Sequence, residues 1–215
     1  MKTKSKALLL TLCAVLLVAA SVLGTMAYLT SMDTVVNTFT VGNVAIKLDE
    51  AKVDVNGVAV TPAARVEENS YKLMPGHTYT KDPTVTVLED SEASYIKMTV
   101  TFSKASALDA IFAPTGADLT SIFYGYDSAN WIYKGNTKDA ATGTRTYEFW
   151  YKEAVGASTA DVALDALFDS ITVPGTITNE QLETIEGMTI TVNAYAIQAD
   201  GFTNADAAWA AFDAQ

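Results

Sequence analysis

The chain has 215 residues, of which 49% are hydrophobic, 10% aromatic and 18% charged. This composition excludes a disordered chain and allows one domain or two small ones. It carries 14 Lys and Arg against 25 Asp and Glu, a formal net charge of -11. Because nucleic acids and anionic lipid surfaces bind clustered cations, this charge argues against both as partners.

The first 27 residues have the layout of a secretory signal peptide. Three lysines precede an uncharged apolar run from residue 7 to 23, and the small side chains of Thr25 and Ala27 follow. We predict cleavage after Ala27, so that the mature chain begins at Tyr28 and 28–215 form a single domain. The apolar run is nearly as long as a membrane-spanning helix, so an uncleaved anchor is the alternative.

Cleavage at this point changes the chemistry of the chain. It removes three Lys, no acid and the only cysteine, Cys13. The mature chain would keep eleven Lys and Arg against 25 Asp and Glu, a formal charge of -14. Disulfides and cysteine-ligated metals are then excluded.

Most of the mature chain has the pattern of short strands. Residues 95–102 alternate apolar side chains with Lys97, Thr99 and Thr101, which predicts a strand with one buried and one solvent face. Asn56-Gly57 predicts a type I′ hairpin, and Met74-Pro75-Gly76 predicts a turn with a left-handed glycine. Further strands are predicted at 35–41, 44–48, 84–88, 122–126, 131–134, 144–152, 171–173 and 188–198.

Four segments favour helices: 106–112, 161–168, a short one from Asn179 to Ile185 capped by Asn179, and a terminal one after 203–206 ending at Phe212. The strands need a second sheet to bury their apolar faces. The sequence therefore predicts a mainly β fold, an antiparallel two-sheet sandwich with short helical insertions and a short C-terminal helix.

The sequence contains no recognisable catalytic or metal-binding motif. His77 is the only histidine, and neither a zinc-binding H-E-x-x-H nor a G-x-S-x-G nucleophile motif is present. We interpret His77 as a solvated turn residue, and Asp54 as part of the hairpin rather than of a calcium loop. We assign no catalytic, cofactor-binding or metal-binding residue.

Two clusters leave alternatives open. The acid pairs Glu67-Glu68 and Glu89-Asp90 could serve glycoside chemistry, but such pairs are more often a solvated face. An aromatic cluster on 144–152 could bind a sugar or could belong to the core; it comprises Tyr147, Phe149, Trp150 and Tyr151.

Three further parts of the chain contain short motifs: 23–30 with 37–44, 74–77 with 81–85, and 194–199 with 207–209. Together these motifs resemble the TasA/camelysin family of secreted proteins from Gram-positive bacteria. The signal region with residues 37–44 is similar to that family's SipW-dependent signal peptide and first mature strand. Residues 74–77 with 81–85 are similar to its turn and following strand, and 194–199 with 207–209 to its C-terminal end. The segment 88–92 departs from the asparagine- and glycine-rich turn of many relatives.

The resemblance implies a jelly-roll sandwich, cleavage by a signal peptidase of the SipW type, and homopolymeric biofilm-matrix fibres joined by a donated N-terminal strand. We expect residues 28–41 to be that strand, with its apolar contacts made by Val35, Val36, Phe39 and Val41. Pairing within its own chain is the alternative for the monomer. Other functions left open are a cell-surface or carbohydrate-binding module and, with least support, a camelysin-like protease.

Overall fold

The computed structural model describes residues 6, 11–17, 42–112 and 121–214. The chain divides into two units, Met1–Val41 and Gly42–Gln215. In the first unit, residues 11–17 are helical and have exposed side chains. No helix within the described ranges is both long and apolar enough to cross a membrane. The predicted cleavage site and the predicted strand 35–41 lie outside the described residues.

The second unit is mainly β, with antiparallel strands and three short helices among its described residues. The strands are β1 (Ile46–Ala51), β2 (Arg65–Val66), β3 (Thr78–Thr80), β4 (Thr84–Val87), β5 (Ser94–Phe102), β6 (Trp131–Asp139), β7 (Thr144–Tyr151), β8 (Val162–Ala163), β9 (Ser170–Thr172) and β10 (Ile190–Gln198). The helices are α1 (Ala105–Phe112), α2 (Asn179–Thr184) and α3 (Ala205–Asp213).

Two four-stranded sheets share one core. The first sheet has the order β2-β1-β4-β8, and the second has the order β10-β5-β7-β6, while β3 and β9 form a separate pair. Val85 and Val87 of β4 are buried in the same cluster as Met98 of β5 and Phe149 of β7. Because each sheet buries one face of alternating apolar residues against the other, the arrangement is sandwich-like.

The aromatic cluster on β7 belongs mainly to this core. Tyr147 and Phe149 are 1% and 0% exposed, and both rings pack edge-on against Phe123, at 5.2 and 5.7 Å between centroids. Trp150 and Tyr151 are half-buried. β7 therefore presents no exposed row of aromatic side chains for a sugar.

Several predicted elements are confirmed, but two are wrong. Residues 122–126 do not form a strand, since only Tyr124 makes an isolated bridge, to Ser170. Residues 161–168 do not form a helix. Their apolar side chains enter the core from β8 and an irregular segment held by backbone hydrogen bonds from Leu164 to Val85 and from Leu167 to Pro83.

The two predicted turns differ in outcome. The turn at Met74-Pro75-Gly76 is confirmed, with φ of 73° at Gly76 and a hydrogen bond from His77 N to Met74 O. The hairpin around Asn56-Gly57 is not type I′, because only Gly57 has positive φ. The Asp54 carboxylate instead accepts the N–H groups of Asn56 and Val58, which fits a three-residue loop closed by a left-handed glycine.

Three side chains occupy environments other than those predicted. The alternation in 95–102 predicts Lys97 in solvent, but Lys97 is only 4% exposed, because α3 covers its face of the second sheet. His77 is half-buried, with Nε2 2.7 Å from the carbonyl oxygen of Asn56, rather than solvated. Helix α2 is capped by Thr178, which forms a capping box with Gln181, and not by Asn179.

Candidate functional site

A groove of about 1220 Å³ runs between β1 and β10, and we call it the β1–β10 groove. β10 is an edge strand that pairs only with β5 among the described strands. β1 pairs with β4 along Ile46–Asp49 and with β2 only at Glu50 and Ala51. Both strands therefore have backbone groups without a strand partner along much of one side.

The walls of the groove expose apolar side chains that also reach the core. Leu48 of β1 and Ile190 and Val192 of β10 line the groove, and all three are half-buried against the shared core. Leu182 of α2 and the fully buried Ile185 that follows α2 also line the groove. The core is thus incompletely covered at this point of the unit, which leaves an apolar surface beside unpaired strand edges.

The rim of the groove is acidic. Its exposed carboxylates come from the segment after β2 and from α2 with the residues after it: Glu67, Glu68, Glu183 and Glu186. The only lysines among the lining residues are Lys72, which is exposed, and Lys81, which is buried. The pair Glu67-Glu68, interpreted from the sequence as a solvated face, thus lies in solvent at the groove rim.

A buried polar cluster supports the same wall of the groove. Glu50, 5% exposed, accepts a 2.6 Å hydrogen bond from Lys81 Nζ at Oε2 and a 2.9 Å hydrogen bond from Asn69 Nδ2 at Oε1. Asn69 Nδ2 also donates to Ala51 O, and its Oδ1 accepts Val53 N–H. These bonds fix the segment after β2 against the end of β1.

A second carboxylate of β1 is held by cations. Asp49 is 6% exposed and accepts from Arg65 Nε at 2.5 Å and from Lys47 Nζ at 2.8 Å. Burial opposes its ionisation, but the hydrogen bonds from Lys47 and Arg65 outweigh it and lower the pKa of Asp49 below its ordinary value. Burial first, and then the charge of Glu50, raise the pKa of Tyr71.

The groove holds no metal-binding set. No group of three or more His, Cys, Asp or Glu side chains with metal-binding geometry occurs among the residues that the structure describes. His77 contacts Tyr79, with 4.8 Å between ring centroids, so its neighbours are those of a packed turn. Glu89 and Asp90, the other acid pair, are exposed and do not line the groove.

The predicted site residues and the observed groove come from different parts of the chain. The predicted cleavage residues Ala27 and Tyr28 lie outside the described residues. So do the four predicted assembly-strand residues, which are Val35, Val36, Phe39 and Val41. Sequence reasoning missed the cluster of Glu50, Asn69 and Lys81. The two adjacent acids in the middle of an otherwise β-like segment, Asp49-Glu50, were the signal that could have pointed to it.

The chain was also compared with known proteins. No family model matches it, and neither the curated proteins nor the solved structures contain a match.

Proposed function

We propose that this protein is a secreted structural subunit that polymerises into extracellular matrix fibres by strand donation. The observation that supports it best is the β1–β10 groove, where two strand edges lack partners beside half-buried apolar side chains. An incoming strand there would gain main-chain hydrogen bonds and bury Leu48, Ile190 and Val192. The jelly-roll arrangement and the TasA/camelysin relationship are part of this proposal.

The occupant is residues 28–41 of a second copy of the chain. This stretch ends where the second unit begins, at Gly42. It is longer than the nine residues of β10, so it can pair along that whole edge. Its apolar residues would pack against the apolar side chains of the groove wall: Val35, Val36, Phe39 and Val41.

The other edge of the second sheet is a poorer acceptor. β6 carries a register irregularity between Tyr133 and Gly135, and its side chains include Lys134 and Lys138. Bulges and edge lysines are features that oppose strand addition. β10 contains neither lysine nor a register irregularity in its pairing with β5, so the donated strand is expected there.

Single cysteines test both the occupant and the edge. The chain from Tyr28 onward has no cysteine, so a disulfide can form only where one is introduced. One sample carries Thr38→Cys, and the other carries Thr191→Cys or Asn193→Cys at exposed positions of β10. When the two samples are mixed, assembled and oxidised, we expect disulfide-linked dimers that contain one chain of each kind.

The control places the second cysteine at Ile132 of β6, a position that is 43% exposed. Cross-links between Thr38→Cys and Ile132→Cys that equal those to β10 would refute the groove as acceptor. A chain carrying both Thr38→Cys and Thr191→Cys that cross-links only within itself, even in assembled samples, would show self-pairing instead of donation. Electron microscopy of the same samples shows whether fibres are present.

A further inference from the structure

The carboxylate of Glu50 holds two nitrogen atoms of different chemistry at once. Oε2 lies 2.6 Å from Lys81 Nζ, an amine, and Oε1 lies 2.9 Å from Asn69 Nδ2, the leaving group of an amide. The Lys81 and Glu50 side chains are 8% and 7% exposed. One buried carboxylate thus contacts both the Lys81 amine, which is a nucleophile, and the Asn69 amide nitrogen, which would leave if an amine replaced it.

Stability alone gives little reason for this arrangement. A buried ion pair gains little over apolar residues of the same size, because desolvation of both charges offsets their attraction. A lysine attacks as a nucleophile only after it has lost a proton, and the Glu50 carboxylate, 2.6 Å from Lys81 Nζ, is placed to accept that proton.

We propose that Lys81 and Asn69 form an intramolecular isopeptide bond, with Glu50 as the group that moves the protons. The lone pair of Lys81 Nζ forms a bond to Asn69 Cγ, the Cγ–Nδ2 bond breaks, and ammonia leaves. Nζ gives up two protons. Glu50 passes one to the departing nitrogen and keeps the other, ending as a neutral acid.

The surroundings of the amide suit this reaction. Asn69 Oδ1 accepts the backbone N–H of Val53 at 3.0 Å, so a donor already faces the oxygen on which negative charge develops during attack. Asn69 Nδ2 also donates to Ala51 O, which fixes the amide plane. No oxidant or external reactant is needed, and the product leaves no charged side chain at this point of the interior.

The bond would link the segment after β2 to the start of the β3–β4 connection. Both parts line the β1–β10 groove, so the cross-link would make that wall rigid. The inference stands on the contacts of Glu50 and does not rest on the proposed function, since a chain that never polymerises could still form the bond.

Mass spectrometry tests the proposal on the purified chain, incubated at neutral pH until its mass is constant. We expect an intact mass lower than that of the sequence by one ammonia. After trypsin, residues 66–72 and 73–97 should appear as one branched peptide, because acylated Lys81 is no longer cleaved. A folded chain of full mass, cleaved normally after Lys81, would overturn the proposal.

Two variants separate the bond from other causes of the same mass. Lys81→Arg keeps a cation for Glu50 but lacks the nucleophilic amine, so we expect a folded chain of full mass. Ammonia loss that persists in K81R would assign the change to a succinimide at an asparagine and refute the cross-link. Glu50→Gln, checked for folding by circular dichroism, should lack the branched peptide, and its presence there would refute the role of Glu50.

Discussion

The ammonium group of Lys97 lies 4.6 Å from the centre of the Trp209 ring, inside the interface between β5 and α3. Lys97 Nζ also lies 5.0 Å from the ring centre of Phe212 and 3.0 Å from Asp213 Oδ1. Trp209 is 1% exposed, whereas the Asp213 side chain is 62% exposed. The aromatic rings of α3 therefore cover the cation, and the carboxylate at the end of the helix faces water.

We expect the ring to matter more than the ion pair. Trp209→Ala should lower the free energy of unfolding by about 3 to 5 kcal/mol, since it removes a fully buried aromatic side chain. Asp213→Asn should cost less, about 1 kcal/mol, because the Asp213 side chain is 62% exposed and water screens its attraction to the buried Lys97. Urea denaturation followed by circular dichroism measures both, and equal losses would show that Asp213 holds the helix.

This interface also marks the limit of what the sequence could predict. The alternation in residues 95–102 predicted β5 correctly, and the cap before residue 205 predicted α3. Alternation assigns side chains to two faces of a strand but does not say which faces are covered. Lys97 is buried because a helix from the end of the chain packs on that face, and no local pattern contains this contact.

The candidate site was harder to predict for a related reason. Its walls come from β1, the segment 67–73, α2 and β10, which meet only after the sheets have formed. At segment 161–168 the local pattern predicted an element, a helix, that the structure does not contain. Its apolar spacing fits a helix, but pairing of β8 with β4 satisfies the backbone instead, so tertiary pairing overrides the local pattern.

Glycine at position 57 is required by a close approach as well as by its backbone angle. A Cβ there would lie 2.6 Å from the Cα of Tyr79, while φ is 77°. Gly143 has a similar φ of 68° with nothing within 4 Å of its added Cβ, so it is the matched control. Gly143→Ala should cost about 1 to 2 kcal/mol for the left-handed backbone alone.

Gly57→Ala should cost clearly more than Gly143→Ala, because the atom that obstructs the new methyl group belongs to the backbone of β3. Thermal unfolding and urea denaturation of the two variants give the comparison. If the two losses were the same, the 54–58 loop would have moved away from Tyr79, and the contact would not constrain the loop.

Asp49 should make stability depend on pH in the acid range. Its pKa in the folded chain is lowered below 3.8, through Lys47 and Arg65 against the effect of burial. Its contribution is therefore complete above that ordinary value and is lost as pH falls through the lower folded value. Asp49→Asn should reduce the free energy of unfolding at neutral pH by about 1 to 3 kcal/mol.

The same variant should lose less further stability than the wild type below about pH 4, since its side chain no longer titrates. Urea denaturation at several pH values gives both curves. Parallel curves for the two proteins would mean that Asp49 has the same pKa folded and unfolded, contrary to the contacts with Lys47 and Arg65.

Acid should promote assembly, although it lowers the folding stability that Asp49 contributes. The chain after residue 27 carries a formal charge of -14, and the full sequence of 215 residues has a pI of about 4.4. Subunits that approach one another at neutral pH repel, and protonation or added salt weakens the repulsion. Light scattering should therefore increase as pH falls toward the pI, and on addition of divalent cations, until acid unfolding intervenes.

Two charge variants distinguish the groove rim from the protein as a whole. The first replaces the four rim carboxylates by amides: Glu67, Glu68, Glu183 and Glu186. The second replaces four exposed acids elsewhere: Glu89, Glu92, Glu153 and Asp200. Both variants change the net charge equally, but only the first makes the potential less negative where the incoming strand binds.

We expect the rim variant to assemble at a higher pH and a lower salt concentration than the second variant. Equal shifts would assign the effect to total charge, and no shift in either would show that charge does not control assembly.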